Sequence, residues 1–297
     1  MSKPRVLFLV NDLNSGAALY NILSWVQRNL TRLDGEVVQR MEPFKQAPTP
    51  RKLLAHLSTY AAVVYDCEWT AWLYNQVFRT AGEPTFAQVP LFHIIESPQH
   101  GERKRMWMDL VRPTKVLMTA EDGVSEQVRG WGHPVSIVPF SFDASRFHHL
   151  PYPEEFTVGA LGANMAHKRF DDIERAAEQA GVKCIISRRP SHEGGDYVGK
   201  ELDFYAQLSC YVCASWAESG PLPPIEAMLC GRPVVSTRVG MMPNLPIYLI
   251  NNVDDLDRAI KAVKQDFIGY ARIARNYEVR DTSRMYEDAI YEAICYG

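Results

Sequence analysis

Glu218 and Glu226 are separated by seven residues in the run SWAESGPLPPIEAMLCGRPVVSTRVGMMPN, residues 215–244. Ionised carboxylates accept hydrogen bonds, but two glutamates at this spacing are weak evidence by themselves and read equally as a helix-capping acid and a solvated one. Lys168, in HKRFDD, stands at the start of a helix pattern. A cation is unfavourable against the positive end of a helix dipole, and a phosphate beside it would account for the placement. Gly16 and Ala17 lie in NDLNSGAA, between an apolar run and a helix pattern. Helix N-termini favour phosphate, yet one glycine is short of a G-x-G-x-x-G, and an ordinary strand–helix turn fits equally well. His93, Glu96 and His100 cluster around the end of LFHIIES. A lone strand histidine is more often structural; Glu96 is a candidate base or acceptor-binding group, or a solvated loop acid. Arg103, Lys104 and Arg105, with Trp107, Arg112 and Lys115, make the densest basic stretch. It reads as a solvated helix face or as a grip on a phosphate-bearing acceptor, with Trp107 available for stacking. Arg188 and Arg189 read either as anion contacts or as surface residues. No D-x-D pair occurs; Asp171–Asp172 and Asp254–Asp255 are adjacent and helix-like.

The elements around these residues follow a βαβ rhythm. CYVCAS at 210–215 has strand length and small or β-branched residues. A turn through Gly220–Pro224 leads into a helix, where Pro224 suits the first turn and Gly231 before Pro233 is a stop. PVVST follows as a second strand, completing a parallel crossover. Glu218 falls in the loop after the first strand and Glu226 in the helix's first turn, at the carboxyl edge where open α/β sheets bind ligands. Upstream, VLFLV at 6–10 is a buried strand, and Leu19–Leu30 a helix with Leu19, Ile22, Leu23, Val26 and Leu30 on one face. Strands are expected at 37–40, 61–66, 91–97 and 115–120 and over VSIVP. PFKQAPTPRK reads as a proline-rich surface loop. FTVGALGA, KCIISRR and KELDFYAQLS read as strand, strand and helix, and two amphipathic helices close the chain.

The stretch 215–244 resembles the donor-binding segment of retaining glycosyltransferases of the GT-B fold, the group 1 family that includes glycogen synthases and mannosyltransferases. The shared features are the two glutamates, EAMLCGRPVV, and the loop TRVGMMPN. IVPFSFDASRFHHLP resembles the family's passage between domains through Val138, Pro139, Asp143, Phe147 and Pro151, with Ser141 in place of a glycine. The resemblance implies two Rossmann-like parallel-sheet domains facing across a cleft: an acceptor-side domain over 1–152, a donor domain over 153–282, and a helix, 283–297, returning to the first domain. It implies a metal-independent enzyme that needs no cofactor and takes a nucleotide sugar as co-substrate. By resemblance Glu218 holds sugar hydroxyls, with Gly220, Pro221 and Leu222 framing the sugar. Glu226 accepts from ribose hydroxyls, a role suited to a carboxylate. Lys168, Gly16 and Ala17 address the diphosphate, and His93 stands beside the reacting sugar. Glu96, Arg103, Lys104 and Arg105 fall to the acceptor, whether a glycan, a lipid or a hydroxylated base in DNA. The family's phosphate-binding arginine is missing near Gly162 and Ala163; Asn164, His167 or Arg169 are the available substitutes. A degenerate, glycosyltransferase-like scaffold and a nucleotide-sugar epimerase are the competing classes; the additional catalytic acids of an epimerase do not stand out.

Bulk composition adds limits. The 297 residues suffice for two ordinary domains, and 46% hydrophobic with 23% charged residues is normal for a globular protein. Residues 1–150 hold 16 Lys and Arg against 14 Asp and Glu, and the remainder 16 against 21. A broad polyanion-binding face is therefore not expected, though a local one at 103–115 is compatible. No apolar run spans a bilayer, and MSKPRVLFLV reads as a first strand rather than a signal peptide. Cys210 and Cys213 form a C-x-x-C, but in a strand their side chains point to opposite faces. Buried structural thiols in a reducing cytoplasm are the expectation.

Overall fold

The computed structural model describes residues 2–11, 18–66, 68–92, 116–119, 135–141, 143–189, 199–218, 220–279 and 282–296. The chain forms two compact units, 1–143 with 281–297, and 144–280. Both are α/β, and among the described residues every strand pairing is parallel.

The first unit carries a six-stranded sheet in the order β2-β1-β3-β4-β5-β6. Its strands are β1 (Arg5–Val10), β2 (Asp34–Gln39), β3 (Ala62–Tyr65), β4 (Ala87–Phe92), β5 (Leu117–Thr119) and β6 (Val135–Ile137). Helix α1 (Ala18–Arg28) follows β1. The order reverses between β1 and β3, both of which are buried almost throughout, as parallel central strands must be. Asn11 and Asp66 stand at this reversal. The Asn11 N–H donates to Asp66 Oδ2 at 2.6 Å, and the Thr70 hydroxyl donates to Asp66 Oδ1 at 2.7 Å.

Two expectations change here. PFKQAPTPRK is not a loop: it holds most of α2 (Glu42–Gln46) and the start of α3 (Pro50–Leu57). Pro43 and Pro50 sit in first helical turns, where a missing N–H removes no helical bond, and the Thr49 hydroxyl accepts from Lys52 N–H. The strand expected at 91–97 starts earlier, being described over Ala87–Phe92 and passing through Pro90, while positions 93–97 lie outside the described residues. Pro90 is tolerated because pairing with β5 starts only at Leu91. Helix α4 (Glu68–Ala81) completes this part.

The second unit carries a five-stranded sheet, β11-β10-β9-β7-β8. Its strands are β7 (Thr157–Ala163), β8 (Lys183–Arg189), β9 (Cys210–Cys213), β10 (Val234–Thr237) and β11 (Tyr248–Ile250). Helices α5 (Phe170–Ala180), α6 (Glu201–Ala206), α7 (Leu222–Leu229), α8 (Leu256–Gln265) and α9 (Phe267–Arg275) connect or cover them. Here the reversal falls between β7 and β9. At Gly159, in β7, any Cβ would run into the Ile185 carbonyl and the Leu208 side chain, so only glycine lets β8 and the 208 turn approach this closely.

The division at 143/144 lies before the expected 152/153. Residues 147–152 are tied to the second unit: Leu150 N–H donates to Cys230 O, and the fully buried Arg232 donates to Leu150 O and Pro151 O. Helix α10 (Ser283–Tyr296) belongs to the first unit and packs on α1, β3 and β4. Its buried Glu287 accepts from the backbone N–H groups of Thr31, Arg32 and Leu33 and from the Thr31 hydroxyl. Among the described residues no helix is long and apolar enough to cross a membrane.

Candidate active site at the sheet reversal of the second unit

The chain leaves β7 through the 3₁₀ turn Ala166–Lys168 and leaves β9 through Ser215–Gly220. These exits are neighbours because β7 and β9 pair directly, and the connections diverge to opposite sides of the sheet there. That is the crevice in which open α/β sheets bind ligands.

Lys168 and Glu218 meet at this point. The Lys168 ammonium donates to Glu218 Oε1, the Ser215 hydroxyl donates to the same oxygen at 2.9 Å, and His167 Nε2 lies 3.9 Å from it. The carboxylate is 9% exposed and the lysine 20%. A largely buried charge needs such partners. The two exits are also fastened together. Trp216 N–H donates to His167 O at 3.1 Å, and the Thr237 hydroxyl donates to Ser215 O at 2.5 Å. Phe170, Tyr211, Pro221 and Pro223 line a recess with Lys168 and Ser215 on its wall. The Lys168 stem passes Gly162. A Cβ on residue 162 would lie 3.6 Å from Lys168 Cε, so a larger side chain there would share the space of the lysine.

Arg169 is the N-cap of α5 in the left-handed region, φ 54° and ψ 41°, an unusual conformation for a non-glycine residue. Its guanidinium donates to Asp172 Oδ2 at 2.7 Å, and Arg188 is held by Asp171 and Glu174. Of the residues weighed as substitutes for a missing arginine, Arg169 is thus engaged with a carboxylate and His167 stands beside Glu218. Arg188, which read as either an anion contact or a surface residue, is paired with acids of α5.

Glu226 projects from α7, with Tyr205 O–H donating to its Oε2 at 2.6 Å. The helix opens at Leu222, capped by Pro221, and Pro223 and Pro224 follow. Two of its first N–H groups are therefore absent, so positive charge at this edge comes from Lys168 more than from helix amides. Gly220, Pro221 and Leu222 are buried. Burial pushes the Cys210 thiol up to about 12; burial and the Glu218 carboxylate also raise Cys213. Both cysteines are protonated core residues rather than nucleophiles.

Gly16, Ala17, His93, Glu96, Arg103, Lys104 and Arg105 lie outside the described residues. Among the described residues no group of three or more His, Cys, Asp and Glu side chains is arranged to hold a metal ion. Sequence reading missed Ser215, Tyr205 and Asp66. Ser215 adjoins a motif and was within reach of inspection; Tyr205 lies in another helix with no spacing signal linking it to Glu226.

Residues 195–266 match the family model described as Glycosyl transferases group 1. No curated protein sequence matches the chain. The fold is similar to that of Anabaena HepE in complex with UDP and glucose, with TM-score 0.75, 16% identity, and 98% of this chain and 99% of that one covered. It is also similar to the catalytic domain of starch synthase IV from Arabidopsis thaliana bound to ADP and acarbose, with TM-score 0.69, 8% identity, and 99% and 100% covered. Sucrose-phosphate synthase from Thermosynechococcus elongatus gives TM-score 0.65 at 14% identity, with 99% and 97% covered. The two parallel-sheet units thus have the fold of these GT-B structures, and a stretch of the second unit, residues 195–266, matches the group 1 glycosyltransferase model.

Proposed function

We propose that the protein transfers a sugar from a nucleotide-sugar donor to an acceptor hydroxyl, with retention of anomeric configuration and without a metal ion or other cofactor. The observation that carries this reading is the convergence of Lys168, Ser215 and Glu218 at the sheet reversal, with Glu226 in the next helix. In this reading Lys168 meets the charge that develops on the departing diphosphate, the kind of placed charge that lowers a barrier most. Glu218 accepts from sugar hydroxyls and holds the anomeric carbon, while Gly220, Pro221 and Leu222 frame the ring. Glu226 accepts from the ribose, and Gly16 and Ala17 approach the diphosphate. The bond from the anomeric carbon to the phosphate oxygen breaks, and the bond to the acceptor oxygen forms on the same face. The acceptor proton passes to the released phosphate oxygen, so no protein base is required. His93 stands beside the reacting sugar. Glu96, Arg103, Lys104 and Arg105 serve the acceptor, which is a glycan, a lipid or a hydroxylated DNA base. A cytoplasmic location is part of the proposal, supported by the free thiols of Cys184, Cys210, Cys213, Cys230 and Cys295.

A thermal-shift screen of nucleotide sugars and nucleoside diphosphates, without acceptor, tests the donor site. One nucleotide sugar should raise the melting temperature, and Glu226→Ala should remove that response. Slow hydrolysis of the same donor should persist in EDTA and vanish in Glu218→Gln. A protein that responds to no nucleotide would be a scaffold instead.

A further inference from the structure

Tyr205 lies in the last turn of helix α6 within the core of the second unit, and its side chain is fully buried. Three separate attachments hold it. Its backbone carbonyl accepts from Arg232 Nε at 2.9 Å, and the same guanidinium is anchored to Leu150 O and Pro151 O. Its ring packs against Phe204 and Tyr211, with centroids 5.7 and 6.2 Å away. Its hydroxyl lies 2.6 Å from Glu226 Oε2 and 3.2 Å from Pro223 O. Burial, and then the neighbouring Glu226 charge, push the phenol well above its usual range, so it stays a donor at every physiological pH.

We propose that Tyr205 is a positioning residue that aims the Glu226 carboxylate at the ribose of the donor. The proposal rests on the reading of Glu226 as the ribose acceptor. A glutamate on a helix has three rotatable side-chain bonds, and ordering them opposes binding. A phenol fixed at its backbone, ring and hydroxyl orders one carboxylate oxygen in advance. A carboxylate has about four acceptor sites, so it can take the phenol and a vicinal diol together. This support comes from a helix that precedes β9.

The test measures, by titration calorimetry, the affinities of UDP, ADP and GDP and of their 2′,3′-dideoxy counterparts. For whichever base binds, the wild-type protein should prefer the ribonucleotide by about tenfold or more, the worth of hydrogen bonds to a charged acceptor. Tyr205→Phe keeps the ring and its packing. It should shrink that preference by about threefold or more, with the dideoxy affinity unchanged within about twofold. Loss of packing alone would weaken both ligands alike, and that result overturns the proposal. Glu226→Gln separates the two levels. If it abolishes the preference and Tyr205→Phe leaves it intact, Tyr205 does not position Glu226, while the ribose reading stands. If Glu226→Gln has no effect on the preference, or no ribonucleotide binds, the ribose reading falls and takes this proposal with it.

Discussion

Lys168 and Glu218 are each only partly solvated, so each depends on the other. Lys168→Met would strand a carboxylate that is 9% exposed with the Ser215 hydroxyl and, at 3.9 Å, His167. It should cost about 1–3 kcal/mol in urea unfolding. Adding Glu218→Gln should recover most of that loss while leaving the protein inactive, because the second change removes the stranded charge. Equal stability of the single variant and the wild type would show that the pair contributes nothing. The cysteines offer a second check. The buried Cys210 and Cys213 carry raised pKa values, whereas Cys295 is exposed. The thiolate is the reactive form, so iodoacetamide at pH 8 should label Cys295 and spare the C-x-x-C pair in the folded protein. Labelling of either strand cysteine would refute the core assignment.

Helix α7 is stopped by geometry that a glycine permits. Gly231 N–H donates to Met228 O and Arg232 N–H to Ala227 O, a Schellman arrangement with Gly231 at φ +78°. This stop turns Arg232 into the core, where it holds Tyr205 and the 150–151 carbonyls. A Cβ on residue 231 would also come within 3.2 Å of Arg275 Cγ. Gly231→Ala should therefore destabilise by about 1–2 kcal/mol, and Gly231→Asn by less, since asparagine tolerates the left-handed region. Denaturant midpoints of the two variants check the order; alanine at or above wild-type stability would contradict it.

The last helix ties the end of the chain to its beginning through one buried carboxylate. Burial raises the pKa of Glu287, but the backbone N–H groups of Arg32, Thr31 and Leu33 and the Thr31 hydroxyl outweigh it and hold it below the usual range. Because the folded value is depressed, its contribution to stability is complete above the unfolded value of about 4.3. It is lost as pH falls through the lower folded value. Glu287→Gln should lower stability at pH 7 by about 1–3 kcal/mol and flatten the acid limb below about pH 4.5. An unchanged acid limb would show that this carboxyl is not the coupled group. Hydrogen exchange over 31–33 should quicken in the same variant.

Much of this arrangement was written in local pattern. Apolar strands of the right length, the Gly231 stop, and the strand–loop–helix–strand order around 215–237 are short-range properties, so they can be read along the chain. The GT-B class was legible through the same stretch. Pro43 and Pro50 misled because proline's effect depends on which N–H the fold would otherwise use, and that depends on where the helices start. Lys168 and Glu218, fifty residues apart, were singled out separately for a phosphate and a sugar; their contact arises only because β7 pairs with β9 at the reversal of strand order. Tyr205 and Glu287 lay beyond any reading of spacing. Their roles come from partners 21 and about 255 residues away, and a hydrogen bond between remote residues exists only once packing has brought them together and excluded water.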